Sequence, residues 1–564
     1  MLFALVLIAK LYFLQIVSGD EYSSQADRQS LSPGSKTFER GSIFLTTKDG
    51  ELVTAASQTS GFLVALNPSV LIDPNEAYDK IKNILEFDHD TFFAKASKKQ
   101  DPYEEIVKRV SVSIGEAINE LGVPGLGAYE EKWRSYPNEK LAAHTLGFMA
   151  FKEDELAGRY GLERTYENVL KRSGGESLYT NFFVETFLNI KKTVEGDGGS
   201  GDIVTSIEPS VQAFLEQEIE RVNNKWTSDY SGGIVIDPNT GEIVAMALHP
   251  DFNPNFFQAA DPSVFSNRLV ESVYEMGSII KPLTMAAALD SGVVTAKTTY
   301  NDAGTLTLDN YQIYNYDKKA RGVVDMQQVL NQSLNTGVAF AAMKMGNDTF
   351  SRYMKGFGLA EKTGIDLPYE AAPLVSNLES KRHIELATAS YGQGLAMTPI
   401  STVRALSALA NGGVLVNPHI VKQIRYKTGL SKTLDGSVAE GVEGMGGGVG
   451  GRRVLKKETS TEISRMLVNV VDKALLGGTV KQEHYSIAAK TGTAQVALEG
   501  SRGYYDDRFL HSFFGYFPAY DARFLVFLYT YHPKGVQYAS ETLTHSFIDI
   551  TKYLINYYEI EPDR

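Results

Sequence analysis

The sequence predicts an α+β fold in its C-terminal part, an antiparallel sheet flanked by helices, and three observations carry that expectation. Gly233-Ile234-Val235-Ile236 and Glu242-Ile243-Val244-Ala245-Met246 flank the turn Asp237-Pro238-Asn239-Thr240-Gly241, a strand-turn-strand pattern. Residues 512–517 and 523–530 form a second such pair around Pro518-Ala519-Tyr520-Asp521. Between the two hairpins the chain reads as mostly helical, and strands at both ends of a domain with helices between them define an α+β arrangement.

The chain has 564 residues, enough for two or three domains, and 43% hydrophobic content fills large cores. A net charge of -13 argues against a nucleic-acid partner, which calls for a basic face. With no cysteine there is neither a disulfide nor a Cys-ligated metal, and the nine histidines show no ligand spacing such as H-E-x-x-H. No cofactor is expected, so the chemistry falls to Ser, Lys, Asn and Thr.

In order along the chain, residues 1–17 are apolar except for Lys10 and Gln15, and Ser18-Gly19-Asp20-Glu21 ends the run. The expectation for 1–18 is an uncleaved membrane anchor, slightly shorter than the ~20 residues a spanning helix uses. A signal peptide is the competing reading, but a basic leading region and a small-x-small cleavage site are both missing. Residues 19–201 mix short strands with polar helices, expected over 75–87 and 104–121, and form a separate N-terminal domain. The Gly/Asp-rich stretch 195–202 is expected to be a linker. The C-terminal domain, 202–564, opens with a helix behind Pro209 whose apolar positions Val211, Phe214, Leu215, Ile219 and Val222 follow helical periodicity. Residues 441–451 hold seven glycines among eleven positions and are expected to be a surface loop.

Tyr274-Glu275-Met276-Gly277-Ser278-Ile279-Ile280-Lys281-Pro282 organises the rest. On a helix, residues three apart share a face, so the Ser278 hydroxyl and the Lys281 amine are expected to meet. A serine nucleophile needs a base. Lysine serves only if its pKa falls far below about 10.4, through burial or a second cation. Pro282 lacks the N–H that would bond the Ser278 carbonyl, which places Ser278 in the helix's first turn, where free N–H groups favour an oxyanion. Taken alone, S-x-x-K is also the pattern of a solvent-facing helix start, so partners have to be found.

Ser333-Leu334-Asn335 lies inside the otherwise helical 328–345, and a hydroxyl and an amide two residues apart do not share a helix face, so a loop is expected to present both. Lys-Thr-Gly occurs three times. Lys362-Thr363-Gly364 and Lys427-Thr428-Gly429 read as turns, whereas Lys490-Thr491-Gly492-Thr493 follows Tyr485-Ser486-Ile487-Ala488-Ala489 and sits on a strand. There the glycine is expected to let a ligand approach the backbone. The strand edge can offer main-chain hydrogen bonds to an extended peptide. Lys490 supplies the second cation that depresses Lys281.

With these three motifs in this order, the sequence resembles the penicillin-binding proteins, class B in particular, over nearly its whole length. The surrounding residues agree: Tyr274-Glu275 and Gly277 before the serine, Pro282 after the lysine, Tyr391-Gly392-Gln393-Gly394, Thr398-Pro399, Ala494-Gln495, and the N-terminal signals Arg40-Gly41, Arg134 with Tyr136-Pro137, and Gly161-Leu162-Glu163. The resemblance implies a transpeptidase/β-lactamase-like domain on an N-terminal pedestal of the dimerisation type. It also implies D,D-transpeptidation of peptidoglycan stem peptides ending in D-Ala-D-Ala.

By the same resemblance Ser278 is the nucleophile, Lys281 the base, Ser333 a proton relay, and Asn335 a holder of Lys281 and of a substrate amide. Lys490, Thr491, Gly492 and Thr493 line the site for the terminal carboxylate, and the Ser278 and Thr493 N–H groups form the oxyanion hole. β-Lactams are expected to acylate Ser278. A polytopic membrane glycosyltransferase is the expected partner, with the catalytic domain outside the cytoplasmic membrane. The alternatives are a D,D-carboxypeptidase, a β-lactamase, for which no Glu-x-x-x-Asn element stands between Ser333 and Lys490, and a non-catalytic penicillin sensor or scaffold. A bifunctional enzyme with its own glycosyltransferase domain is disfavoured, because residues 22–201 carry no paired-carboxylate signature.

Overall fold

The computed structural model describes residues 39–152, 155–172, 199–434, 451–498, 500 and 503–564. The expected anchor at 1–18 lies outside them, as do 179–197 and all of the glycine tract except Gly451. Among the described residues no helix is long and apolar enough to cross a membrane. The chain divides into two compact units.

The smaller unit is built on Gln58–Ser135. Its strands, the C-terminal part of Leu52–Leu66 together with Glu104–Val110 and Leu126–Ser135, cover the helices Pro74–Ile81, His89–Ala96 and Val112–Glu120. The core joins Val64, Leu66, Leu71, Ala77, Ile81, Phe92, Val110 and Ile118. The expected helix over 104–121 is corrected in its first half. Residues 104–110 pair as a strand, with Val64 opposite Val107 and Phe62 opposite Val110. Cross-strand packing of these β-branched and aromatic residues outweighs the helical pattern. Ser111, whose Oγ accepts from the Ile114 N–H, then caps the helix that follows.

In the larger unit one sheet gathers Ile43–Thr46, the first residues of Leu52–Leu66, Gly201–Thr205, Val421–Tyr426 and Ser431–Thr433. The expected linker therefore ends inside a strand. The second sheet holds the site. Its elements in chain order are α1 (Pro209–Trp226), β1 (Tyr230–Ile236), β2 (Ile243–His249), α2 (Lys281–Asp290), α3 (Met326–Asn331), α4 (Asn335–Met345), β3 (Ala488–Ala497), β4 (Tyr504–Phe517), β5 (Phe524–Tyr531) and α5 (Thr544–Tyr557). The strand order β2-β1-β5-β4-β3 is antiparallel throughout, with β3 at an edge.

Both faces of this sheet are buried, and β5 shows why its residues 524–529 are aliphatic or aromatic without a break. Leu525, Phe527 and Tyr529 join the core around α2 and α4, while Val526 and Leu528 join the core of α1 and α5. The helical expectation for the middle of the chain is met by α2, α3 and α4 but omits two small sheets, Thr299–Asp302 with Gly322–Asp325 and Thr305–Leu308 with Tyr311–Tyr314.

Candidate active site

Gly277–Ile280 forms a 3-10 turn that runs directly into α2. The Ser278 carbonyl accepts from the Lys281 N–H, and Pro282 occupies the first turn of α2, where its missing N–H costs nothing. The turn is seated by close backbone contacts. Gly277 has φ +65°, and a Cβ there would stand 2.8 Å from the Thr493 carbonyl oxygen. A Cβ on Gly392 would lie 2.4 Å from the Gly277 carbonyl oxygen, and the Ser512 hydroxyl donates to the Met276 carbonyl at 2.9 Å.

Gly492 has a different reason from the one its strand context suggests. A Cβ at that position would stand 2.4 Å from Ser512 Oγ and 2.7 Å from the Met276 carbonyl oxygen. The missing side chain makes room for the serine turn and the neighbouring strand rather than for a ligand.

Two lysines are buried beside the turn, Lys281 at 0% and Lys490 at 3% exposure. Lys281 Nζ donates to the Ser333 carbonyl at 2.5 Å and to Ser333 Oγ at 3.1 Å. Lys490 Nζ donates to the same Ser333 Oγ at 3.0 Å and to the Thr491 carbonyl at 3.0 Å. Burial, and then the charge of Lys490, hold the Lys281 amine well below its ordinary pKa. Burial alone lowers Lys490 to about 8. The half-buried Ser278 hydroxyl makes no hydrogen bond to Lys281; the lysine is held by Ser333.

The break between α3 and α4 presents Ser333 as expected, and Ser333 itself adopts the left-handed region with φ 54°. Asn335 is a correction. Its Nδ2 donates to the Tyr314 carbonyl at 2.8 Å and its amide makes no hydrogen bond with Lys281, because α4 begins at Asn335 and turns the amide towards the small sheet. Buried Asp302, which ends the strand Thr299–Asp302 of the other small sheet, accepts from Thr336 Oγ1 of α4 at 2.8 Å and from Asn315 Nδ2, next to Tyr314, at 3.0 Å. Nothing in the local pattern around Asp302 announces this network; only the Thr336 hydroxyl, one residue past Ser-x-Asn, hints at it.

Lys490-Thr491-Gly492-Thr493 lies on edge strand β3, with Thr493 opposite His511 of β4. Thr493 Oγ1 accepts from the Ala539 N–H at 3.1 Å. His511, which no sequence motif marks, is fully buried between Thr542 Oγ1 and the Gln537 carbonyl, and burial lowers its pKa to about 4. The other copies of Lys-Thr-Gly serve turns. The Thr363 and Gly364 N–H groups donate to Glu370, and Lys427-Thr428-Gly429 closes the hairpin between Val421–Tyr426 and Ser431–Thr433.

The fold thus brings together a serine turn at the head of a buried helix, two buried lysines joined through a second serine, and a sheet edge carrying Lys-Thr-Gly. The family model for the penicillin-binding protein transpeptidase domain matches residues 232–551, and that for the penicillin-binding protein dimerisation domain matches 36–197. The chain belongs to the penicillin-binding proteins, in their class B.

It is 29% identical over 538 residues to stage V sporulation protein D of Bacillus subtilis, covering 94% of this chain and 80% of that one. To the peptidoglycan D,D-transpeptidase FtsI of Escherichia coli it is 25% identical over 579 residues, covering 99% and 90%. Among solved structures, penicillin-binding protein 2X of Streptococcus thermophilus superposes with a TM-score of 0.73 at 20% identity, covering 93% of this chain and 80% of that chain. Penicillin-binding protein 3 of Mycobacterium tuberculosis, complexed with aztreonam, does so with 0.68 at 21%, covering 93% and 98%.

Proposed function

We propose that Ser278 is the acylated nucleophile of this chain, a serine-type peptidoglycan D,D-transpeptidase of cell-wall synthesis. The observation that carries the assignment is the meeting of Lys281 and Lys490 on one hydroxyl, that of Ser333, beside the Ser278 turn.

The substrate is a stem peptide ending in D-Ala-D-Ala. Ser278 Oγ attacks the carbonyl carbon between the two D-alanines and gives its proton to the neutral amine of Lys281. The Ser278 and Thr493 N–H groups take the developing oxyanion. As the C–N bond breaks, the proton passes through Ser333 to the departing amine, and D-Ala leaves behind an ester on Ser278. The amine of a second stem attacks that ester, closes the crosslink and returns the proton to Ser278. The hydrogen bond between Ser278 and Lys281 forms only when the substrate is bound.

Lys490 attracts the terminal carboxylate. The Thr493 hydroxyl, already accepting from Ala539, keeps its proton to donate to that carboxylate, together with Thr491. Asn335 gives one N–H to Tyr314 and keeps its oxygen for a substrate amide. β-Lactams, which mimic the acyl-D-Ala bond, acylate Ser278.

Mass spectrometry of the protein after exposure to penicillin tests this. A stable adduct is expected on Ser278, absent in Ser278→Ala. An adduct on another residue overturns the assignment, and rapid turnover of penicillin makes the chain a β-lactamase.

Residues 1–18 anchor the chain in the cytoplasmic membrane, 19–201 form the pedestal and 202–564 the catalytic domain on the outer side. The class B match and the dimerisation-domain match support this reading. Glycan polymerisation then belongs to a polytopic membrane glycosyltransferase. Co-purification of such an enzyme through the anchor and pedestal is the expected result, and unchanged capture after both are replaced refutes it.

A further inference from the structure

Glu275 stands three residues before Ser278 and has no role in the chemistry above. Its strand, Tyr274–Glu275, pairs with Ala396–Met397. Its carboxylate joins three segments that are remote in sequence. The Gly394 N–H donates to Oε1 at 2.9 Å, and the Tyr504 hydroxyl donates to Oε1 at 3.2 Å and Oε2 at 3.0 Å. Tyr504 opens β4 and lies opposite Ala497, the last residue of β3, so it fixes the far end of the hairpin that carries Lys490 to Thr493. Gly394 ends the turn whose Gly392 lies against the Gly277 carbonyl. One carboxylate thus ties the entry to the serine turn, the turn packed beneath it and the open end of the edge strand. Glu275 is half-buried; burial raises its pKa, and the Gly394 and Tyr504 hydrogen bonds, which favour the charged carboxylate, oppose that rise.

We propose that Glu275 and Tyr504 form a positioning pair that sets the separation between the Ser278 turn and strand β3, and so governs the acylation step rather than the capture of the acyl donor. The inference rests on Ser278 being the nucleophile. The turn carries the attacking oxygen and one oxyanion donor, while β3 carries the other donor and the carboxylate site. The reaction needs all of them in register, and a misplacement of about 1 Å costs on the order of a hundredfold in rate. Without Tyr504, the end of the β3–β4 hairpin loses its bond to the segment that leads into the serine. The carboxylate-binding residues Lys490 and Thr491 lie nearer the buried end of β3, which is held by the Ala488–Tyr516 and Ala489–Gly515 pairs. Donor capture is therefore less sensitive than acylation.

The test is the acylation kinetics of the full chain, in detergent, with a fluorescent penicillin at increasing concentration. The wild type, Tyr504→Phe, Glu275→Gln and the double variant are compared for the limiting first-order rate and the half-saturating concentration. The expected result is a fall of about tenfold or more in the limiting rate of each single variant, with half-saturation unchanged and melting temperatures close to wild type. The double variant is expected to be no slower than the slower single one, since both changes break one link. A wild-type limiting rate in Tyr504→Phe, a loss confined to half-saturation, or single losses that multiply in the double variant would overturn the proposal. Tyr504→Phe removes only a hydroxyl and keeps the test open should Glu275→Gln fold poorly. Locating the adduct in the same samples separates the two assignments: an adduct elsewhere than Ser278 defeats the nucleophile, whereas an adduct on Ser278 formed at the wild-type rate in Tyr504→Phe defeats only the pair.

Discussion

Lys281 and Lys490 meet at a single oxygen, Ser333 Oγ, which lies 3.1 Å from one ammonium nitrogen and 3.0 Å from the other. Two cations cannot share one buried hydroxyl without cost, and the cost falls mainly on Lys281, which has both burial and its neighbour against its charge. The site therefore holds one amine ready to accept a proton and a second that keeps its charge to a higher pH.

Acylation of Ser278 by penicillin should depend on pH as a bell. The acid limb follows loss of the Lys281 proton, far below the ordinary lysine range. The alkaline limb follows loss of the Lys490 charge near pH 8. Lys490→Met should move the acid limb to higher pH, because the repulsion that lowers Lys281 is gone, and should weaken carboxylate capture. Rate profiles between pH 5 and pH 10 measure both.

Asn335→Ala should leave the acid limb where it is. Lys281 is held by the Ser333 backbone and hydroxyl, and the Asn335 amide bonds Tyr314 instead. The expected loss is in KM for a peptide donor. An acid limb shifted by a full pH unit in this variant would restore Asn335 as a holder of Lys281.

The three copies of Lys-Thr-Gly are separable by substitution. Lys490→Ala should lower penicillin acylation on the order of a hundredfold or more, the scale of losing an aligned charged contact. Lys362→Ala and Lys427→Ala, in turns at Glu370 and at a hairpin end, should acylate at the wild-type rate.

Gly492→Ala places a methyl group against the Met276 carbonyl and the Ser512 hydroxyl. Overpacking at such a contact costs about 1–3 kcal/mol. A lower melting temperature together with slower acylation is expected, because the atoms that must yield belong to the serine turn.

Acid should loosen the larger unit. Burial lowers both His144 and His511 to about 4, so each is neutral in the fold and protonates in the unfolded chain near 6.5. The unfolded state binds more protons between these values, so stability rises with pH from about 4 to 6.5 and falls on acidification through that window, by up to about 3 kcal/mol for each group. His511→Gln should flatten part of this slope in denaturant melts taken at pH 4, 5 and 7.

The sequence by itself determined the local pieces. A serine and lysine three apart before a proline make a turn feeding a helix, two apolar runs around Asp237–Gly241 make a hairpin, and apolar residues before Lys490 make a strand. Each follows from backbone periodicity and turn chemistry within a few residues. It also pointed to the family, through three motifs and their order along the chain. The tertiary structure alone decided which atoms meet. That Ser333 rather than Asn335 holds Lys281 depends on where α4 begins, and that residues 104–110 form a strand depends on a partner strand over 40 residues earlier in the chain. Glu275 and Tyr504 are 229 positions apart, and no local pattern pairs a glutamate with a tyrosine at such a distance. Register across a sheet and the seating of one turn against another are set by packing between remote segments, which is why the residues of the site were legible one by one while the contacts between them were not.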